Sequence, residues 1–211
     1  MSNADAHQRA EVAGYNASGD VGTGPFFRPC GSGGGGSGGG NTTVNITNLS
    51  KTNAKAVDVQ NGLRWIGAWL AEGFDPDCNS WLTNNLGSIQ TLLGLTAGSS
   101  TMYVAVGNFS NNSVDAIAGV AGTDLAPSTA LLTVNANGAY FNAGYTIAGT
   151  SYQSSTAMGD VLILLHELAH LTLAAGFVGN DNNTSDAASN NRLVLQHCTK
   201  TVQGLGSLGN N

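Results

Sequence analysis

Two histidines one helical turn apart, with a glutamate directly after the first, form the group in this sequence best suited to chemistry. They are His166, Glu167 and His170, within LLHELAHLTLAAGF at 164–177. In a helix, residues four apart lie on the same face, so both imidazoles can be directed at one metal ion. Glu167 is rotated by about 100° from His166 and so reaches a water molecule beside the metal instead of the metal. The spacing predicts a Zn²⁺ site with Glu167 as general base for a metal-activated water.

The surroundings favour a metal site over two core histidines that bond to their neighbours. The chain has only four histidines, and a chance match to this pattern is expected on the order of once in a thousand such sequences. The stretch from Thr156 to Ala175 is almost wholly apolar and predicts a helix buried on all sides, stopped by Gly176. Ionisable groups in such a helix are costly unless they are paired or bind a metal.

The HELAH stretch resembles the signature of the zincin metallopeptidases, in which this helix supplies two zinc ligands and the catalytic glutamate. In metzincins a glycine follows the second histidine by three residues and a histidine ligand follows it by six, but these positions hold Leu173 and Gly176 here. In gluzincins the third ligand is a later glutamate, and no glutamate follows Glu167. The resemblance therefore implies an aspartate as the third ligand, as in aspzincins.

Asp181, eleven residues after His170, is similar in placement to the aspartate ligand of aspzincins. Its surroundings, FVGNDNNTSD, lack the Thr and the Tyr of the Gly-Thr-x-Asp-x-x-Tyr-Gly motif of those proteins. Charge, spacing and ligand type favour Asp181, while Asp186 and His197 remain as rival ligands.

Zincins also bind peptide substrates by β-addition to an edge strand that precedes the active helix. The resemblance implies such a strand here, and the candidates are Ala139–Asn142 and Met102–Gly107. An oxyanion donor is to be sought among three tyrosines, each of which also suits an ordinary packing role: Tyr140, Tyr145 and Tyr152.

The elements that must position these residues follow from hydrophobic periodicity and turn signals. We expect helices from Val57 to about Gly73 and from Asn79 to about Leu93, separated by a turn at Asp75-Pro76. The remaining expected elements are a strand at 101–108, a short helix at Ser113–Gly119, a hairpin at 129–142 around Asn137-Gly138, a strand at 144–149 and a last helix at Ser185–Thr199. The predicted fold class is α+β and zincin-like, with a small mixed or antiparallel sheet packed on a buried active-site helix and additional helices.

Composition divides the chain into two parts and limits the classes of partner that it can bind. Residues 1–53, with GSGGGGSGGG at 31–40, predict a flexible tail and linker, and residues 54–211 a zincin-like metallopeptidase domain. Only seven Lys and Arg occur and the net charge is −6, which excludes a nucleic-acid surface. The longest apolar stretch is interrupted by the site residues and is shorter than the roughly 20 residues of a membrane span.

Cysteine content and composition bear on the compartment. The first residues contain no apolar signal core, yet low charge with abundant Asn, Thr, Ser and Gly is typical of secreted bacterial proteins. We therefore expect a secreted or periplasmic protein. The three cysteines allow three pairings, and Cys78 with Cys198 is favoured because Cys30 adjoins the glycine run.

These features predict a zinc-dependent hydrolase, specifically a peptidase acting on a peptide or protein substrate. Its metal ligands would be His166, His170 and Asp181, with Glu167 as the catalytic residue. The alternative hypothesis is a catalytically silent, zinc-stabilised binding or surface-structural protein that retains the zincin helix.

Overall fold

A computed structural model describes residues 46–48, 53–83, 101–109, 116–121, 129–179, 181 and 183–208. These residues form four helices and four strands, which confirms the predicted mixture of helix and strand. In chain order they are β1 Ile46–Asn48, α1 Ala54–Ala71, α2 Pro76–Leu82, β2 Thr101–Gly107, β3 Ala116–Ala121, β4 Thr129–Asn135, α3 Ala157–Thr172 and α4 Thr184–Leu208.

The described strands form one mixed sheet in the order β1-β2-β4-β3. Strands β1, β2 and β4 run parallel, and β3 is antiparallel to β4 at one edge. The sheet is therefore mostly parallel. Parallel neighbours require a crossover connection, and the chain between β1 and β2 provides one that includes α1 and α2. Helix α1 contacts β1 and β2, α3 contacts β3, and α4 packs along α3.

The first two helices begin at side-chain caps. Asn53 caps α1 by accepting a hydrogen bond from the backbone N–H of Lys55, and the helix buries one apolar face. The helix expected from Val57 is thus confirmed, with an earlier start. Helix α2 begins where a turn was expected, because Asp75 caps it and Pro76 occupies its first position, where no N–H is needed. Residues 84–93 of the expected second helix lie outside the described residues.

The expected short helix at Ser113–Gly119 is wrong, since Ala116–Ala121 forms β3. This strand pairs with β4 along its whole length, from Ala116 opposite Val134 to Ala121 opposite Thr129. Alanine has the highest intrinsic helix propensity, but such propensity is small in energy, and pairing with a neighbouring strand overrides it. Residues 113–115 lie outside the described part of the chain.

The expected hairpin is half right, because 129–135 forms β4 but no second arm follows it. Both edges of β4 are already paired, with β2 and with β3. The chain instead turns at Asn135, whose side chain accepts a hydrogen bond from the N–H of Asn137. Neither candidate for a substrate-binding edge strand occupies an edge, since Ala139–Asn142 is a turn and Met102–Gly107 lies in the interior strand β2. The expected strand at 144–149 contributes only an isolated bridge between Thr146 and Gln153.

The buried helix α3 and the closing helix α4 are both present, with changed boundaries. Thr156 caps α3 by accepting a hydrogen bond from the N–H of Gly159 at 3.1 Å. The helix ends at Thr172 because Leu173 adopts a left-handed conformation with φ 50°, three residues before the expected stop. Helix α4 runs well past the expected end and kinks at Cys198.

The favoured disulfide is confirmed, because Cys78 of α2 is bonded to Cys198 at the kink of α4. A buried carboxylate reinforces this junction, since Oδ2 of Asp75 accepts hydrogen bonds from the N–H and hydroxyl groups of Thr201, each at 2.9 Å. Both contacts join segments more than a hundred residues apart.

Part of the expected tail belongs to the sheet, because Ile46–Asn48 pairs with β2. Residues 1–45 and 49–52 lie outside the described residues. Within the described ranges, no helix combines the length and the hydropathy that crossing a bilayer requires.

We predict that replacing Cys78 and Cys198 together with serine lowers the free energy of unfolding by about 2–5 kcal/mol, since the bridge closes a long loop in the unfolded chain. Chemical denaturation without reductant measures this change. Cys30→Ser serves as the matched control, because Cys30 takes no part in the bridge, and it should leave the midpoint unchanged. Equal stability of the double variant and the parent would show that the bridge contributes nothing.

Candidate metal centre

The two histidines lie on successive turns of α3, as their spacing requires. Their ring centroids are 4.9 Å apart, with the rings at 67° to each other. His166 is buried, and His170 is partly open near the C-terminal end of the helix. Both imidazoles therefore face the same side of the helix, toward the segment that follows it.

Asp181 meets both histidines from that segment. Its Oδ2 lies 2.8 Å from Nε2 of His166, and its Oδ1 lies 3.3 Å from Nε2 of His170. One ligand atom from each of the three residues falls within a span of 4.8 Å. Two imidazole nitrogens and one carboxylate at this separation could hold one metal ion.

Burial and mutual charge set the pKa values of this group. Burial lowers the pKa of His166, but its hydrogen bond with Asp181, the charges of Glu167 and Asp181, and its bond with Asn191 outweigh that effect and raise it. Burial and the neighbouring His166 lower the pKa of His170. Burial alone would raise the pKa of Asp181. The hydrogen bond and the charge of His166 are the largest of the opposing effects, and together these effects lower the Asp181 pKa to about 2. The carboxyl is thus ionised at neutral pH, as a metal ligand must be.

Two consecutive asparagines of α4 orient the group. Oδ1 of Asn191 lies 2.8 Å from Nδ1 of His166, and the amide of Asn191 donates to the carbonyl of Ala148 at 3.0 Å. An acceptor at Nδ1 fixes the ring and directs Nε2 toward Asp181. Both ring nitrogens of His166 therefore meet oxygen atoms.

The neighbouring Asn190 holds the segment that carries Asp181. Its amide nitrogen donates to Oδ2 of Asp181 at 3.0 Å and to the carbonyl of Val178 at 2.9 Å. Its amide oxygen accepts the N–H of Val178 at 2.8 Å. Asn190 is fully buried, so these three bonds satisfy its amide oxygen and both amide hydrogens and fix the path of the segment.

Phe177 packs against both histidines. Its ring lies edge-on to His166 at 5.0 Å and to His170 at 4.7 Å between centroids. Trp81 of α2 packs edge-to-face against Phe177, with 6.0 Å between ring centroids. Its indole N–H donates a hydrogen bond to the carbonyl of Ala175 at 3.0 Å. The segment after α3 is therefore held from two sides, by α4 and by α2.

Glu167 is buried at 6% exposure, directly after His166 on α3. Its charge acts on His166, where it is among the causes that raise the imidazole pKa. The glutamate therefore belongs to the electrostatic environment of His166.

The two rival ligands lie in other environments and do not join the three-residue group within the described residues. Oδ2 of Asp186 accepts a hydrogen bond from the side chain of Asn183 at 2.6 Å at the start of α4. His197 stacks on Trp81 at 4.9 Å and pairs with Asp77 at 3.4 Å beside the disulfide. The structure thus brings Asp181 to the histidines and gives the other two different partners.

The tyrosines offered as oxyanion donors differ in access. Tyr145 is 53% exposed, Tyr152 is half-buried, and Tyr140 is 3% exposed with its hydroxyl in the interior. A bound peptide would not reach the Tyr140 hydroxyl without rearrangement of the core. Tyr145 and Tyr152 stay predictions.

Sequence reasoning missed Asn190, Asn191 and Phe177. The sequence predicts a helix at Ser185–Thr199 that contains both asparagines, but it assigns no role to them or to Phe177. Two adjacent amides can both face solvent on an amphipathic helix, so their types and spacing gave no signal of their burial.

Comparison with known proteins gives no family for this chain. No protein-family profile matches it. Searches of curated proteins and of solved structures likewise found no significant match. Inferences about this centre therefore depend on its own geometry.

We predict that Asp181→Asn removes tight binding of Zn²⁺, used as the probe ion, while Asp186→Asn retains it. Asp181→Asn removes the negative charge of the carboxylate that lies beside both imidazoles. Asp186→Asn makes the same change at a carboxylate that is hydrogen-bonded to Asn183 instead. The affinity of the Asp181 variant should fall by more than the roughly 100-fold that loss of an outer hydrogen bond costs. Competition with a chelator measures both, and loss of zinc in the Asp186 variant alone would reverse the assignment.

We also predict that Asn191→Leu weakens zinc binding by about 10–100-fold, because His166 loses the acceptor that fixes its ring. Gln196→Leu is the matched control, since it removes an exposed amide from the same helix. Circular dichroism checks that both variants fold. Equal zinc affinity in the two variants would show that Asn191 does not position the ligand.

Proposed function

We propose that this chain is a zinc-dependent hydrolase, specifically a peptidase. His166, His170 and Asp181 hold the ion in this proposal, and Glu167 is the general base. The observation that carries it is that ligand atoms of His166, His170 and Asp181 lie within 4.8 Å of one another, and the buried helix that bears the two histidines also bears Glu167.

The donor set supports zinc and supports catalysis over a purely structural role. Zinc accepts imidazole nitrogen and carboxylate oxygen, and catalytic zinc sites use three protein ligands and leave a further position open. Structural zinc sites, by contrast, are closed by four protein ligands, usually including cysteine thiolates. Two of the proposed ligands already have outer partners, Asn191 for His166 and Asn190 for Asp181. Such partners are characteristic of metal ligands.

Each residue of the proposed site has a defined task in the reaction. A zinc ion bound there would lower the pKa of a water molecule and polarise a carbonyl group. Glu167, one position after His166 on the helix, would accept a proton from the attacking water and later deliver it to the leaving amine. Phe177, which covers one side of both imidazoles, limits access of bulk water to the ligands.

The sheet also supports the proposed likeness to zincins. Strand β3, antiparallel at an edge of the sheet, precedes α3 in the chain and contacts it. This is the place where a zincin-like peptidase would receive an extended peptide by β-addition. We therefore assign to β3 the role that the sequence had suggested for other segments.

A secreted or periplasmic location forms part of the same proposal. The Cys78–Cys198 disulfide supports it, because such bonds persist in oxidising compartments and are rare in the cytosol.

We predict that Glu167→Gln lowers peptide hydrolysis by about 10²–10⁴-fold while stoichiometric zinc is retained, because the amide cannot accept the proton. Cleavage of fluorescently labelled casein, measured beside zinc content, tests this. Glu72→Gln is the matched control, since Glu72 is an exposed glutamate at the end of α1. It should keep full activity.

Two other outcomes separate the alternatives. If the parent protein binds zinc but cleaves no peptide, the chain is a zinc-stabilised binding protein and the peptidase proposal is wrong. If the parent cleaves peptide and the Glu167 variant cleaves equally well, another residue is the base.

A further inference from the structure

The tryptophan of α2 lies in direct contact with the helices that the disulfide joins. Trp81 follows Cys78 by three residues, so the two side chains are neighbours on the surface of α2. Its indole ring stacks on the imidazole of His197, with 4.9 Å between ring centroids and 14° between the planes. His197 directly precedes Cys198 in α4. Each member of this stack is therefore close in the chain to one of the bridged cysteines.

Further contacts of Trp81 reach the metal centre. Its indole N–H donates a hydrogen bond to the carbonyl of Ala175 at 3.0 Å, and its ring packs against Phe177 at 6.0 Å between centroids. The ring of Phe177 lies 5.0 Å from that of His166 and 4.7 Å from that of His170. A series of packed rings thus runs from the disulfide to both histidines of the centre.

The disulfide is the strongest restraint that holds the Trp81 end of α2 against α4. The hydrogen bonds from Thr201 to Asp75 fix the N-terminal cap of α2, six residues before Trp81. Asp77 pairs with His197 at 3.4 Å, but its side chain is 64% exposed, and exposed ion pairs contribute little. The disulfide is covalent, and both of its cysteines are fully buried. Its loss would allow Trp81 to shift against α4.

A disulfide that only stabilised the fold would leave zinc affinity unchanged. In the chain-entropy account the bridge acts on the unfolded state, so the folded protein would bind the metal equally well without it. The contacts of Trp81 belong to the folded state, and they hold Ala175 and Phe177 in the segment that carries Asp181. The zinc affinity of the folded protein therefore distinguishes positioning from stabilisation.

We propose that the Cys78–Cys198 disulfide positions the metal centre through Trp81, so that the chain gains its full zinc affinity only when this bond has formed. Trp81 is a positioning residue, because it acts on the ligands through Phe177 and the carbonyl of Ala175. Bond formation removes two electrons and two protons from the thiols, and an oxidising disulfide accepts them as it is reduced to two thiols. This inference rests on the zinc binding of the proposed function and is independent of its catalytic step.

The first test compares zinc affinities of the full chain by competition with a chelator, in a Cys30→Ser background that leaves only the bridged cysteines. Replacing Cys78 and Cys198 with serine breaks the bond without adding thiols that bind zinc themselves. We expect the folded double variant to bind zinc roughly threefold to thirtyfold more weakly, the range by which residues that act through packed neighbours change coupling. Circular dichroism confirms folding before each titration. Unchanged affinity overturns the proposal, because the bond then acts on the unfolded state alone.

Trp81→Phe is a second and independent test, because it keeps an aromatic ring but removes the N–H that bonds to Ala175. Its zinc affinity should fall by a similar factor. Trp69→Phe is the matched control, since Trp69 is also 6% exposed and its indole N–H has no hydrogen-bond partner among the described residues. The control should bind zinc as the parent does. Equal affinities of Trp81→Phe and the parent, or equal weakening in Trp69→Phe, would disprove the positioning role.

Combining the two changes tests whether the bond acts through the indole. If it does, adding Trp81→Phe to the double serine variant weakens zinc binding by less than the product of the separate factors. Factors that multiply fully overturn the proposal, because bond and indole then act separately. A parent that binds no zinc overturns this inference together with the proposed function. Affinities that fall as expected in a parent that cleaves no peptide support this inference and overturn the hydrolase alone.

Discussion

The candidate metal centre depends on one constraint, the fixed orientation of α4 about its helix axis. Asn190 and Asn191 are consecutive, so their side chains point about 100° apart, one toward the segment with Asp181 and the other toward His166. Turning α4 by one residue would remove both contacts together. The position of the third ligand and the direction of the first are therefore set by one helix that contributes no ligand itself.

Contacts far from the ligands fix that orientation. Cys198 lies seven residues, or about two turns, after Asn191 and so on the same face of α4. Its disulfide to Cys78 anchors this face to α2, and fully buried Val194 lies between the two positions. Asp75 then holds Thr201 just beyond the kink. The stability of the disulfide junction and the geometry of the centre are thus physically linked through α4.

Local geometry explains which parts of the centre could be predicted from sequence. The relation between His166 and His170 follows from helical periodicity alone, and the apolar run around them predicts burial. Asp181 required a family resemblance, because nothing in the periodicity of a Gly- and Asn-rich loop shows where it folds back. Strand β3 and the asparagines of α4 depend on partners distant in sequence, which local patterns do not encode. The Asn137-Gly138 turn signal was real, but the sheet had no free edge beside β4 for a hairpin arm.

The two halves of α3 show how an almost wholly apolar helix can carry ionisable groups. Near its C-terminal end, His166 has oxygen partners at both ring nitrogens, from α4 and from the loop. Near its N-terminal end, Asp160 is equally buried, yet the described residues offer its carboxyl oxygens no hydrogen-bond donor. The same helix thus satisfies one buried polar group with protein atoms and leaves the other without them. Burial, followed by the charge of Asp58, raises the pKa of Asp160 to about 8, so a proton on Asp160 itself removes the charge whose desolvation is costly.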